Sequence, residues 1–104
     1  MNNTQTTVDQ DVHWGELPDE DLVAMFRDWN VRGAFLALTE RYRPLVLRHI
    51  GEFAGDATNV SSVCRAVFAE AALRISSLQT PAGFLQWLLH LARERTSQWV
   101  DASL

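Results

Sequence analysis

The stretch AFLALTERYRPLVLRHIGEF, from Ala34 to Phe53, decides the fold of this chain. Its apolar residues recur every three or four positions, which is the period of one face of a helix. They are Phe35, Leu38, Tyr42, Leu45, Val46, Ile50 and Phe53. Charged residues fall largely between them, so the pattern predicts an amphipathic helix with an apolar face that needs partners. Pro44 lacks a backbone donor and crowds the preceding turn, so we expect one continuous helix with a bend there.

Three further helical patterns flank this central one, and no strand pattern is present in the sequence. The first has acidic residues at its start, where Asp19 can cap free amides. The last follows Thr80, a predicted N-cap before a proline in the first turn. The predicted bounds are Leu17 to about Asn30, Ala57 or Thr58 to Ser77, and Thr80 to about Val100. The sequence therefore predicts an all-α fold, a compact bundle of four helices with short links.

The first residues differ from the rest of the chain. Residues 1–16 are polar and aperiodic, which predicts a disordered tail ahead of a helical domain at residues 17–104. Trp14 is the exception within this tail. It either packs back on the domain or marks a short interaction segment.

Composition narrows the class of protein. A chain of 104 residues is one small domain, and its formal net charge of −4 argues against broad binding to a phosphate backbone. The only cysteine, Cys64, excludes an internal disulfide. The start MNNTQTTVDQDV lacks the basic and apolar regions of a signal peptide, and no apolar run is long enough to cross a bilayer. The expected location is cytoplasmic, with no membrane partner.

The sequence offers little support for catalysis. His13, His49 and His90 fall in separate segments, and no spacing typical of metal ligands occurs. Cys64 lies on the apolar face of its predicted helix, which indicates a core residue and not a nucleophile. No glycine-rich phosphate loop is present. We therefore expect neither an enzyme nor a cofactor.

Short motifs in the predicted helices occur in a familiar order. They are Asp19–Val23 (DEDLV), Ala34-Phe35, Arg41–Val46 (RYRPLV), Gly55-Asp56, Val67-Phe68, Phe84, Trp87-Leu88 and Leu91–Arg93 (LAR). Together they resemble region 2 of bacterial RNA polymerase sigma factors, particularly the extracytoplasmic-function group, over about Leu17 to Val100. Region 4 of that family has no counterpart in this sequence.

The resemblance implies a transcription protein. Family members bind the clamp helices of the β′ subunit of the RNA polymerase core through the third helix. They open and read the promoter −10 element through the fourth helix and the loop before it. The implied polymerase-binding candidates are Ser62, Arg65, Ala66 and Glu70. The implied DNA-binding candidates are Ser77, Gln79, Thr80, Gln86, His90, Arg93 and Arg95, with the base-capturing loop within Ser76–Gly83.

Departures from the family pattern open a second interpretation. Ser62, Arg65 and Ala66 stand where the family has an acid, a glutamine and an acid, so the local charge is reversed. Glu94 replaces an asparagine, and the family's basic tail is missing. These features favour a protein-interaction module without direct DNA binding. Such a module mimics a sigma factor, binds an anti-sigma-like protein or docks within a larger regulator. A homodimer formed through an apolar patch is a further version.

Overall fold

The structure is a computed structural model, and it describes residues 14–54 and 59–103. Within these ranges every regular element is helical, and no strand occurs. The α-helices are α1 (Asp19–Trp29), α2 (Arg32–Ala54), α3 (Val60–Arg74) and α4 (Phe84–Ser103). Short 3₁₀ turns are formed by Trp14–Glu16, Ile75–Ser77 and Pro81–Gly83. The predicted all-α bundle of four helices is confirmed.

Helix α2 is the centre of the bundle, since it packs against each of the other three helices. It continues without interruption through Pro44. Leu38, Val46 and Ile50 from the predicted apolar face are fully buried. Phe53, at the end of the helix, is not buried in the core, since its side chain is 45 % exposed. Phe35 and Tyr42 pack against this core, and Leu45 is half-buried. The central stretch therefore supplies the core through most of its predicted apolar face.

The start of α1 differs from the prediction. Pro18 occupies the N-cap position, and Asp19 is the first residue of the helix and not its cap. The Asp19 carboxylate instead accepts hydrogen bonds from Arg41 and from the Tyr42 hydroxyl, both on α2. The Asp19 side chain, which the local sequence predicts to cap the helix, therefore makes tertiary contacts with α2. The helix ends as predicted near Asn30, which has a left-handed backbone. Its N–H donates to the Phe26 carbonyl at 3.0 Å, and the Val31 N–H donates to the Met25 carbonyl at 3.2 Å.

The starts of α3 and α4 also differ in detail from the predicted positions. The described part of α3 begins at Val60, where the Asn59 side chain accepts the Ser62 backbone N–H at 3.2 Å. The predicted start at Ala57 or Thr58 and the Gly55-Asp56 turn lie outside the described residues. Thr80 occupies the predicted N-cap position ahead of Pro81, but its side chain makes no capping bond. A 3₁₀ turn follows it, and α4 begins only at Phe84.

The segment before α1 packs on the bundle. Trp14 contacts the core, and its ring lies so close to Gly33 that a Cβ there would be 2.9 Å from Cζ2. Of the two alternatives for Trp14, the structure shows packing. Trp14–Glu16 thus belong to the ordered domain, while the rest of the predicted tail lies outside the described residues. Among the described helices, none has the combined length and hydrophobicity of a membrane span.

Candidate functional site

The outward face of α3 carries three of the four predicted polymerase-binding residues. Ser62, Arg65 and Ala66 share this face because positions three and four apart lie together on a helix. The opposite face of α3 is buried in the core. The outward face continues through Ala69 to Leu73, whose side chain is 83 % exposed. We call Ser62, Arg65, Ala66, Ala69 and Leu73 the α3 face.

A groove between α2 and α3, which we call the α2–α3 groove, borders the α3 face. It has a volume of about 280 Å³ and is lined by Arg43, Leu47, Ser61, Cys64, Arg65 and Phe68. Two guanidinium groups flank an apolar floor, and no carboxylate lines the groove. Cys64 is almost fully buried at this floor. Burial raises the pKa of its thiol and the Arg43 charge opposes that shift, so the thiol stays protonated near neutral pH.

Glu70, the fourth polymerase-binding candidate, is tied to other charges. One carboxylate oxygen lies 2.7 Å from Nη1 of Arg74 on the same helix. The other lies 3.2 Å from Nη1 of Arg95 on α4. Glu70 therefore bridges α3 and α4, and it pairs with a residue that the sequence assigned to DNA binding. The two predicted surfaces meet at this ion pair.

The other charged DNA-binding candidates on α4 also have partners. His90 Nε2 lies 3.3 Å from a carboxylate oxygen of Glu94. The Arg93 guanidinium lies 5.3 Å from the centroid of the Phe53 ring, in a cation–π contact. His90, Arg93 and Glu94 lie along a surface groove of about 360 Å³, which we call the α4 groove. It is lined by Glu70, Arg74, His90, Arg93, Glu94, Arg95, Ser97 and Gln98. The groove is a mixed-charge surface and not a basic one.

The predicted base-capturing loop is partly anchored. The Ser77 hydroxyl donates to the Arg74 carbonyl at 2.7 Å, which closes the end of α3. The Leu78 carbonyl accepts a hydrogen bond from Nη1 of Arg27 at 3.1 Å, so α1 holds the middle of the loop. Gln79 and Thr80 are exposed beyond this anchor. Gln86 is exposed near the start of α4. None of these three polar side chains lines the groove formed by the charged residues of α3 and α4.

Sequence reasoning missed Leu73 and Ala69. Both belong to a second stripe on α3, opposite the core, in which Ser62, Ala66, Ala69 and Leu73 are spaced by four, three and four residues. That spacing was visible in the sequence. It was obscured because α3 is rich in alanine and apolar on more than one side, so the core stripe masked the second one.

Comparisons with models of protein families, with curated proteins and with solved structures found no significant match. The resemblance to sigma region 2 stays a prediction from the sequence. Within the described part of the chain, no group of three or more histidine, cysteine or acidic side chains could hold a metal ion.

Proposed function

We propose that this chain is a sigma-region-2-like transcription protein that binds the RNA polymerase core through the α3 face. The strongest support is Leu73, an exposed leucine on the same stripe as Ser62 and Ala66. A leucine that stands in solvent beside small side chains suits a protein partner, because its burial on binding is favourable by about 1.5–3 kcal/mol. It offers nothing to a phosphate backbone.

Charge supplies the second support. Arg65 and Arg43 flank the α2–α3 groove without an acidic neighbour in its lining. A partner that covers Leu73 and reaches Arg65 therefore presents an apolar side chain next to carboxylates. The clamp helices of the β′ subunit are the partner that the sequence resemblance implies. An anti-sigma-like protein that covers the same face is the alternative partner.

Binding of single-stranded −10 DNA is a second candidate function. It is favoured by the exposed Gln79, Thr80 and Gln86 and by the three arginines of the α4 groove. Glu70 and Glu94 stand in the same groove and repel phosphates. DNA binding therefore ranks below protein binding, since part of the positive charge is already neutralised within the chain.

The test is direct binding of the labelled full chain to purified core RNA polymerase. Leu73→Gln and Arg65→Gln are expected to weaken binding about tenfold each, because each removes one contact of about 1–2 kcal/mol from the face. Arg48→Gln is the matched control, since Arg48 is exposed on α2 away from the groove lining. Absence of binding by the folded chain, or equal losses in all three variants, contradicts the proposal.

A further inference from the structure

A second unpartnered stripe runs along the outer side of α2. Leu36, Glu40, Arg43 and Leu47 are spaced by four, three and four residues, which is the spacing of a heptad seam. Leu36 is 62 % exposed, and Glu40 and Arg43 are exposed beside it. Leu47 is half-buried and lines the α2–α3 groove. Leu47 packs partly against the core of its own chain, whereas Leu36, Glu40 and Arg43 face solvent.

The order of side chains in this stripe is self-complementary. Read from either end, it runs leucine, charge, opposite charge, leucine, about a midpoint between Glu40 and Arg43. We infer that a second copy of this chain packs on it, with the two α2 helices antiparallel and related by a two-fold axis. Leu36 of each copy then faces Leu47 of the other, and Glu40 of each faces Arg43 of the other.

The two charges at the centre are available for this pairing. Among the described residues, Glu40 and Arg43 take part in no ion pair, although they are three positions apart on one helix. A parallel arrangement in register would place like charges together. Only the antiparallel one forms two ion pairs between the copies, so the charges fix the direction of the second helix.

The leucines fit the same geometry. The groove that contains Leu47 has a volume of about 280 Å³ and an apolar floor completed by Cys64 and Phe68. Antiparallel pairing brings the exposed Leu36 of the second copy to the mouth of this groove. Each copy thus contributes one protruding leucine and one apolar groove, and the contact is made twice.

The length of the stripe sets the strength of the dimer. From Leu36 to Leu47 the helix rises about 16 Å, roughly three turns. An interface of this size is at the small end for specific complexes, so we expect a dissociation constant in the range of about 10⁻⁵–10⁻³ M. This inference uses the α2 stripe and the groove beside it, and it does not depend on polymerase binding.

The experiment is sedimentation equilibrium of the full chain over a concentration series reaching about 1 mM. Wild type is expected to dimerise. In the dimer, position 40 of each copy faces position 43 of the other, so Glu40→Arg and Arg43→Glu each create two contacts between like charges. Each variant is expected to raise the dissociation constant at least about tenfold. An equimolar mixture of these two variants restores both ion pairs and is expected to return within about threefold of wild type.

Arg48→Glu is the matched charge reversal, since Arg48 lies on another side of α2 and should leave the dimer unchanged. Circular dichroism checks that each variant is folded, as expected for exposed positions. Leu36→Gln should also weaken the dimer. A wild-type chain that stays monomeric throughout the series overturns the inference and leaves the stripe to a different protein. An unchanged dissociation constant in Glu40→Arg and Arg43→Glu also overturns the inference. So does a mixture of these two variants that fails to dimerise more tightly than either alone.

Discussion

Arg41 and Asp19 join three parts of the bundle at one point. Nη1 of Arg41 lies 2.5 Å from Oδ1 of Asp19 at the start of α1. Nη2 of the same guanidinium donates to the carbonyls of Gly15 at 3.0 Å and Leu17 at 2.7 Å. One side chain of α2 thus holds both α1 and the segment that precedes it. This pair, and not a helix cap, fixes the entry into the bundle.

Replacing Arg41 with alanine should destabilise the domain by about 2 kcal/mol. The change removes charge-assisted hydrogen bonds and leaves the half-buried Asp19 carboxylate without its cation. Urea unfolding followed by circular dichroism measures the loss. Arg48→Ala, at an exposed position, should change stability by less than about 0.5 kcal/mol. Equal effects of the two variants would show that the contacts of Arg41 contribute no stability.

Gly33 and Gly51 form a matched pair for testing the position of Trp14. A Cβ at Gly51 meets no atom within 4 Å, so Gly51→Ala should stabilise α2 by about 0.5–1 kcal/mol. A Cβ at Gly33 would lie 2.9 Å from the Trp14 ring, so Gly33→Ala should destabilise by about 1 kcal/mol as the ring is displaced. Urea unfolding compares the two variants. A similar gain in both would mean that Trp14 does not pack on Gly33.

The ionisation of Tyr42 gives a pH prediction. Burial, followed by the hydrogen bond to Asp19, raises the pKa of Tyr42 to about 12 from its ordinary value of 10.0. The fold therefore stabilises the neutral phenol. That contribution is fully present below pH 10 and is lost as the pH rises through about 12.

Tyr42 is the only tyrosine in the chain, so near-ultraviolet absorbance of tyrosinate reports this residue alone. The native protein should titrate well above the same chain in urea. Tyr42→Phe should show no such transition and should lose less stability over this pH range than wild type. Coincident titrations in buffer and in urea would rule out the burial and hydrogen bond described for Tyr42.

Glu70 gives a test of the DNA-binding candidates. Glu70→Gln removes the charge that pairs with both Arg74 and Arg95. If the α4 groove contacts phosphates, the variant should bind a single-stranded −10 oligonucleotide more tightly than wild type, with a steeper salt dependence. Fluorescence anisotropy measures both quantities. Glu52→Gln makes the same charge change at an exposed site on α2 and should have a smaller effect. No binding by either variant would remove DNA from the candidate functions.

The fold was largely predictable because periodicity reports burial. Leu38, Val46 and Ile50 repeat at helical spacing, and all three are buried in the core. Phe53 continues the same period but stays 45 % exposed, and its ring contacts the Arg93 guanidinium of α4 instead of the core. Periodicity shows which residues share a face, but it does not show how far along the helix its neighbours reach.

The candidate site was less predictable because it depends on contacts between helices. Glu70 and Arg95 are distant in sequence, and only the register of α3 against α4 brings their side chains together. Asp19 likewise shows local capping chemistry, yet it is bound by a partner on α2. By contrast, the exposed stripe that ends at Leu73 could have been found from spacing alone.

Competition for the RNA polymerase core is the most direct test of the proposed function. A labelled chain is bound to purified core enzyme, and an authentic sigma factor is added in increasing amounts. If the chain binds the clamp helices as proposed, it should bind the core enzyme and be displaced by the sigma factor, and Leu73→Gln should lower the starting occupancy. Binding that survives saturation with the sigma factor, or no binding by the folded chain, would contradict it.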